Sequence, residues 1–217
     1  MANREKIAVG EYYHIYNRGV DKRSIVKDNK DVERFIKSLE LFNSREPIIS
    51  LRDAISSKDK KHESPLVEII CYDLNPNHFH LLLKEINEGG ISEFMKRVGG
   101  GYTWYFNNRH KRSGVLFQGV FKSTRIISNE QLLHVSVYIN LNDKAHKISG
   151  ETAGKTKSSW QEYTGEDDKN ICAKEIIFDQ FKSINDYKDF AETSLKEILK
   201  VKQNDRDLEM LIGKHFY

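Results

Sequence analysis

Apolar positions along the chain follow two periods, and the changes between them mark the elements. Tyr12–Arg18 (YYHIYNR) alternates and is aromatic-rich, which predicts a strand. Val32, Phe35, Ile36, Leu39 and Phe42 recur at helical spacing, with Asp28 or Asn29 placed to cap a helix over about 29–42. Leu66–Leu74 is a mostly apolar strand that ends at the turn Asn75-Pro76-Asn77, and His78–Lys84 follows as its antiparallel partner. The stripe Ile91, Phe94, Met95, Val98, Tyr102, Tyr105 and Phe106 predicts a long helix. Gly99-Gly100-Gly101 interrupts it, each glycine costing about 1 kcal/mol relative to alanine. That triplet implies either a kink or a close backbone approach. Val115–Ile127 reads as a fourth strand. Ser128 with Gln131 forms a capping box that opens a helix running to about Asn142.

The first six elements run strand, helix, strand, strand, helix, strand, the βαββαβ order of a ferredoxin-like α+β sandwich. The expected fold is an antiparallel sheet with helices on one face. Residues 1–143 form its catalytic unit, and 144–217 a helical C-terminal extension. That extension opens on a polar linker at 144–156 and has helical patterns over 184–199 and 205–212. Ser56–Pro65 reads as a polar loop.

Composition narrows the class. The chain has 217 residues, 38% hydrophobic and 11% aromatic, enough to bury roughly 70% of the unfolded surface and too aromatic for a disordered chain. No run of about 18 apolar residues is present, which excludes a helical membrane span, and the first residues lack a secretory h-region. Cys71 and Cys172 stand far apart without a CxxC, so a reducing cytoplasm is the expected compartment. Net charge is only +3, but the stretch from Lys96 to Arg125 holds seven basic residues and no acid.

Candidate chemistry starts at His78-Phe79-His80. Strand alternation puts both imidazoles on one face, roughly 7 Å apart along the backbone, with Phe79 on the other. Two imidazoles so placed can grip one metal ion, although two histidines on a solvated face have the same pattern. On the later helix, His134, Tyr138 and Asn142 recur at i, i+4 and i+8 and share a side, while Leu132, Val135 and Ile139 can pack on the sheet. Tyr138 would then sit at the edge of that packing. His14 and His134 could each support the site, His134 as a helical neighbour of Tyr138, but the preferred reading of both is a surface histidine.

The segment NPNHFHLLLK resembles the His-hydrophobic-His motif of the HUH single-strand endonucleases. HVSVYINLNDKA is similar to the catalytic-tyrosine helix of their single-tyrosine transposases, usually close to YIxxNPxxA. YHIYNRGVDKRSIV, YTWYFNNRHKRSGVLFQGVFKS and SSWQEYTG likewise resemble REP-associated tyrosine transposases and their insertion-sequence relatives, so the likeness covers about residues 12–190. Two departures are visible. Asp143 stands where the family has proline, and the triple glycine replaces better helix formers.

The resemblance implies a single-stranded DNA transposase of HUH endonuclease fold. Tyr138 would attack a phosphodiester to form a 5′-phosphotyrosine link and free a 3′-OH, which a second strand's 3′-OH can reverse. A phenol ordinarily titrates near pH 10, so a divalent ion at His78, His80 and Asn142 would polarise the phosphoryl group. Mixed nitrogen and oxygen donors suit Mg2+ or Mn2+. No GxxxxGK[ST] occurs, in keeping with chemistry that needs no ATP.

The expected partner is single-stranded DNA with hairpin structure and no membrane, and the chain is expected to act as a monomer or homodimer. The expected location is cytoplasmic and nucleoid-associated. Candidate DNA contacts are Arg18, Lys96, Arg97, Trp104, Arg109, Lys111, Arg112, Lys122 and Arg125, since basic side chains neutralise phosphates and aromatic faces stack on bases. Competing readings are an HUH replication initiator or relaxase, a DNA-binding protein that has lost catalysis, and a plain metal hydrolase.

Overall fold

The structure is a computed structural model that describes residues 6–46, 64–145 and 155–201. Among them lie strand β1 (Tyr12–Arg18), helix α1 (Asn29–Leu41), strands β2 (Val67–Leu74) and β3 (His78–Glu85), helix α2 (Gly90–Arg109) and strand β4 (Lys122–Arg125). Then follow helices α3 (Asn129–Asn140) and α4 (Asn142–Ala145), strand β5 (Lys157–Ser158), and helices α5 (Trp160–Thr164), α6 (Glu175–Phe178) and α7 (Ile184–Val201). The strands pair in the order β4-β1-β3-β2-β5, antiparallel throughout. The first four make the ferredoxin-like order that the βαββαβ pattern predicts. The extension adds β5 beside β2.

Alternation along β3 sorts the layers. Phe79 meets the Phe35 ring at 5.3 Å and the Phe117 ring at 5.5 Å, and Tyr102 meets Phe35 at 5.0 Å. Helices α1 and α2 therefore cover one face. On the other, His80 lies 5.7 Å from Tyr138, so α3 covers the opposite face. Helix α1 begins as its sequence predicts, with Asp28 accepting hydrogen bonds from the Lys30 and Asp31 backbone N–H groups. The Ser128 hydroxyl accepts from Gln131 N, and Gln131 reaches back to accept from Ile127 N.

Three expectations change. The fourth strand shrinks from 115–127 to Lys122–Arg125, with Gly119 in a left-handed backbone conformation inside the lost stretch. Only an isolated bridge between Gly19 and Phe117 remains there. The tyrosine helix ends at Asn140, with Leu141 outside helical geometry, and Asn142 opens the short α4. The helical pattern over 205–212, the 146–154 portion of the linker and most of the loop at 56–65 lie outside the described residues.

The glycine triplet produces no break, since α2 runs through it. A Cβ on Gly101 would lie 2.5 Å from the Phe42 ring, whereas Gly99 and Gly100 have nothing within 4 Å. Close approach of α1 and α2 thus requires glycine at one position of three.

The C-terminal extension shares the core of the sheet. Tyr163, Cys172, Ile177, Tyr187, Ala191 and Ile198 are buried in the same apolar cluster as the strands. Tyr163 donates to the Ile70 carbonyl and Tyr72 to Glu162. Both cysteines are free and buried. No helix among the described residues is long and apolar enough to cross a membrane.

Gly101→Ala should destabilise the protein by about 1–3 kcal/mol through overpacking against Phe42. Gly100→Ala should stabilise it by about 1 kcal/mol. Urea denaturation of the two variants checks the contrast in sign.

Candidate functional site

The β2–β3 hairpin turns over Pro76 and Asn77, closed by Asn75 N donating to the His78 carbonyl at 2.8 Å. That turn sets Leu74 opposite Phe79 and Asp73 opposite His80. On the other side of β3, β1 places Tyr16 opposite His80 and Arg18 opposite His78. One row on the α3 face therefore reads Lys122, Tyr16, His80, Asp73, with Arg18 and His78 beside it.

The two histidines are held differently. His78 Nδ1 lies 2.6 Å from Asn77 Oδ1, and its Nε2 lies 3.2 Å from Asn75 Nδ2. An amide oxygen only accepts and an amide nitrogen only donates. Both contacts therefore require the proton on Nδ1, with the Nε2 lone pair accepting from Asn75. His80 is 1% exposed, and its Nδ1 lies 3.0 Å from Nε2 of His14. For the outer nitrogen of His80 to hold a cation, its Nδ1 must be the donor in that bond. This is the partner that fixes tautomer and ring orientation at metal-ligating histidines.

Tyr138 is 1% exposed, with its ring 5.7 Å from that of His80 and 6.5 Å from that of His14. It sits inside the packing between α3 and the sheet rather than at its edge. Within this single chain, the tyrosine helix packs on the chain's own sheet. Its C-terminal end is braced by the extension. Asn140 donates to the Tyr187 hydroxyl at 3.0 Å and accepts from Ser159 at 2.6 Å, and Ser158 donates to the Asn140 carbonyl at 2.8 Å.

Asn142 enters the site although the helix breaks before it. Its Oδ1 accepts from Asn75 Nδ2 at 2.7 Å. The same nitrogen donates to Asp73 Oδ2. Asp73 is 1% exposed, and burial, aided by nearby Asp143, pushes its carboxyl well above the usual range. Burial also raises the Tyr16 phenol. Imidazole nitrogens with amide and carboxylate oxygens are donors that suit Mg2+ or Mn2+. The oxygens Asp73 Oδ1 and Asn75 Oδ1 have no hydrogen-bonding partner among the described residues. Polar atoms left so at one place fit a site that takes a cation. No three His, Cys, Asp or Glu side chains are already gathered at ligand spacing among the described residues.

The basic candidates separate into two groups. Lys122 lies 5.9 Å over the Tyr16 ring, and Arg18 stands beside His78, both on the strand rows that carry the site. Lys96, Arg97, Trp104 and Arg109 are on α2, with Lys111 and Arg112 just after it, in the layer opposite Tyr138. Arg97 binds Glu93 and the carbonyls of Ser44 and Glu46. Arg109 pairs with Asp28 and the fully buried Asp31 at 2.8 and 2.7 Å. These bonds raise the Arg109 guanidinium above its ordinary value and lower Asp28. Arg112 binds Asn107 and the Val115 carbonyl. Lys96 is exposed beside Glu93, and Lys111 is exposed in a left-handed turn. Arg125 is on the opposite face from His80, pairing with Glu11 at 2.9 Å. Trp104 is 65% exposed.

His14 is fully buried, which corrects its reading as a surface residue. His134 is half-buried, its ring 5.7 Å from Phe190. His62, His146 and His215 lie outside the described residues. Asp73, Asn75 and Asn77 were missed, although hairpin register gives a signal: a turn over Pro76 and Asn77 puts Asp73 opposite His80.

A family described as IS200-like transposase matches residues 11–142, more than half of the chain and the whole span from β1 to Asn142. The chain belongs to the IS200-like transposase family. This places it in the transposase branch rather than among replication initiators or relaxases. A solved structure of a REP-associated tyrosine transposase bound to a REP hairpin is 12% identical to this transposase. It matches over 79% of this chain and 96% of its own, with a TM-score of 0.48. No curated protein sequence matches.

The His78 bonds predict an Nδ1–H tautomer at pH 8, where an ordinary imidazole is neutral. Long-range proton–nitrogen NMR of the imidazoles checks it. Asn77→Ala should release the ring towards the Nε2–H form, and an Nε2–H ring in the unsubstituted protein would contradict the assignment.

Proposed function

We propose that this transposase cleaves and rejoins single-stranded DNA at hairpin ends through a 5′-phosphotyrosine at Tyr138. The observation that carries this reading is the gathering of Tyr138, His78, His80 and Asn142 on one sheet face within one chain. The Tyr138 oxygen forms a bond to phosphorus as the bond from phosphorus to the 3′ oxygen breaks. The departing strand takes a proton to become a free 3′-OH. In the reverse direction another 3′-OH attacks the phosphotyrosine, restoring a phosphodiester and releasing the phenol.

Each residue has a part that follows from its position. His78, His80 and Asn142 hold the divalent cation, Mg2+ or Mn2+, and His14 orients His80. When bound, that cation supplies Lewis-acid polarisation of the scissile phosphoryl group and stabilises the leaving oxygen. Lys122 and Arg18, on the rows beside the histidines, are placed to neutralise flanking phosphates. Since Tyr138 is 1% exposed, the DNA strand reaches it only when the layer over the site opens. The bracing of α3 by the extension makes residues 155–201 part of that control.

Incubating the protein with labelled single-stranded hairpin DNA and Mn2+ should yield a covalent adduct on a denaturing gel. Chelator or Tyr138→Phe should abolish it. DNA binding retained by both proteins, with no adduct from either, would support the reading in which catalysis has been lost. His14→Phe, which keeps ring volume but loses the bond to His80, should slow adduct formation by about 10–100-fold. Lys122→Ala should weaken DNA binding and reduce its salt dependence by about one phosphate contact.

A further inference from the structure

The Asn75 side chain makes a crowded contact. Its single amide nitrogen has two hydrogens but faces three acceptors: Asn142 Oδ1 at 2.7 Å, His78 Nε2 at 3.2 Å, and Asp73 Oδ2. These come from three places in the chain, β2, the start of β3 and the start of α4, and converge on one point. His78 and Asn142 are two of the expected ligands. Asp73 is the third acceptor, and it is also the cross-strand neighbour of His80. Its side chain is 1% exposed, and its second oxygen, Oδ1, has no hydrogen-bonding partner among the described residues.

A carboxylate buried in this way is costly unless it is paired with a cation or coordinates a metal. Among the described residues Asp73 takes part in no salt bridge, and Asp143, a group of like sign, pushes its carboxyl further up. A divalent cation suits all three converging acceptors at once. We infer that Asp73 is a further ligand of the divalent-cation site, supplying the one anionic oxygen to a set otherwise made of neutral imidazoles and an amide. The Asn75 N–H2 holds these acceptors together and must move aside, or turn its own oxygen inward, when the cation enters. This rests on the metal-dependent reading above and adds to it. An anionic ligand raises the affinity of the site for hard cations such as Mg2+ and Mn2+.

The test uses the full chain without DNA and follows free Mn2+ by electron paramagnetic resonance as the metal is titrated in. Asp73→Asn keeps the shape and can still accept from Asn75 through its oxygen, so a purely structural role for Asp73 would survive it. The expected result is at least a tenfold rise in the Mn2+ dissociation constant for Asp73→Asn. Asp143→Asn, which removes a nearby charge from the wall of the adjoining cavity, should change it less than threefold. Asp73→Cys provides a gain-of-function readout: a thiolate ligand should shift preference from Mn2+ towards Cd2+ by tenfold or more. It decides the matter should Asp73→Asn not fold.

Saturable Mn2+ binding unchanged by Asp73→Asn overturns the carboxylate ligand alone. Equal losses from Asp73→Asn and Asp143→Asn also overturn it, since they indicate a field effect without ligation. Absence of saturable Mn2+ binding by the unsubstituted protein overturns the metal-dependent reading together with this one.

Discussion

The turn over Pro76 and Asn77 sets the register on which the rest of the site depends. Its closing bond from Asn75 to His78 puts Phe79 against α1 and α2 and His80 against α3. The Pro76 carbonyl accepts from Ile25 and Val26, and the Asn77 carbonyl accepts from Gly19, tying the turn to the segment between β1 and α1. A slip of one residue would exchange the faces of the whole strand. It would drive imidazoles into the Phe35 layer and leave a phenyl ring where His80 now lies. The apolar demand of one face thus enforces the chemistry of the other.

The site is unusually dry for one built from polar groups. His14, His80, Asp73, Asn75 and Asn142 are all essentially buried, and such groups are tolerated only with partners. Several partners are in place: His14 for His80, Asn77 for His78, and Asn75 for Asn142. The extension supplies another tier by fixing Asn140, which lies two residues beyond Tyr138 and binds Ser159 and Tyr187. Low dielectric strengthens each of these bonds. The same packing that positions Tyr138 also covers it, so access and precision compete.

Charge along the chain and charge at the site are distributed differently. The seven basic residues from Lys96 to Arg125 form a contiguous electropositive stretch in sequence, yet folding divides them. Arg109 is drawn to Asp28 and Asp31 at the start of α1, where it locks two helix ends together. Arg97 is drawn to a loop carbonyl cluster. Lys122 shares the histidine face because β4 pairs with β1. Long-range ion pairs decide this division, and local composition carries no information about them.

Much of the architecture was legible in the chain because it rests on local physics. Alternation marked β1, a mostly apolar run closed by a turn marked β2 and with it β3, helical spacing marked α1 and α2, and side-chain oxygens marked the starts of α1 and α3. That His78 and His80 share a face was legible for the same reason, whereas Tyr138 was singled out by the resemblance of its motif and not by period. The length of β4 was not legible, because the left-handed Gly119 breaks the extended run that the apolar pattern favoured. Nor was the purpose of Gly101, which depends on where Phe42 lies in space. The burial of His14 and its bond to His80 required knowing which strand lies beside β3. Asn75 as the meeting point of Asp73, His78 and Asn142 required the hairpin, the sheet and the helix break together. The sequence by itself determined most of the elements through short-range periodicity, and the resemblance of its motifs pointed to the family that the match over residues 11–142 shows. Tertiary structure alone decided which polar side chains converge on one point, because contacts between distant segments are set by the packing of whole layers.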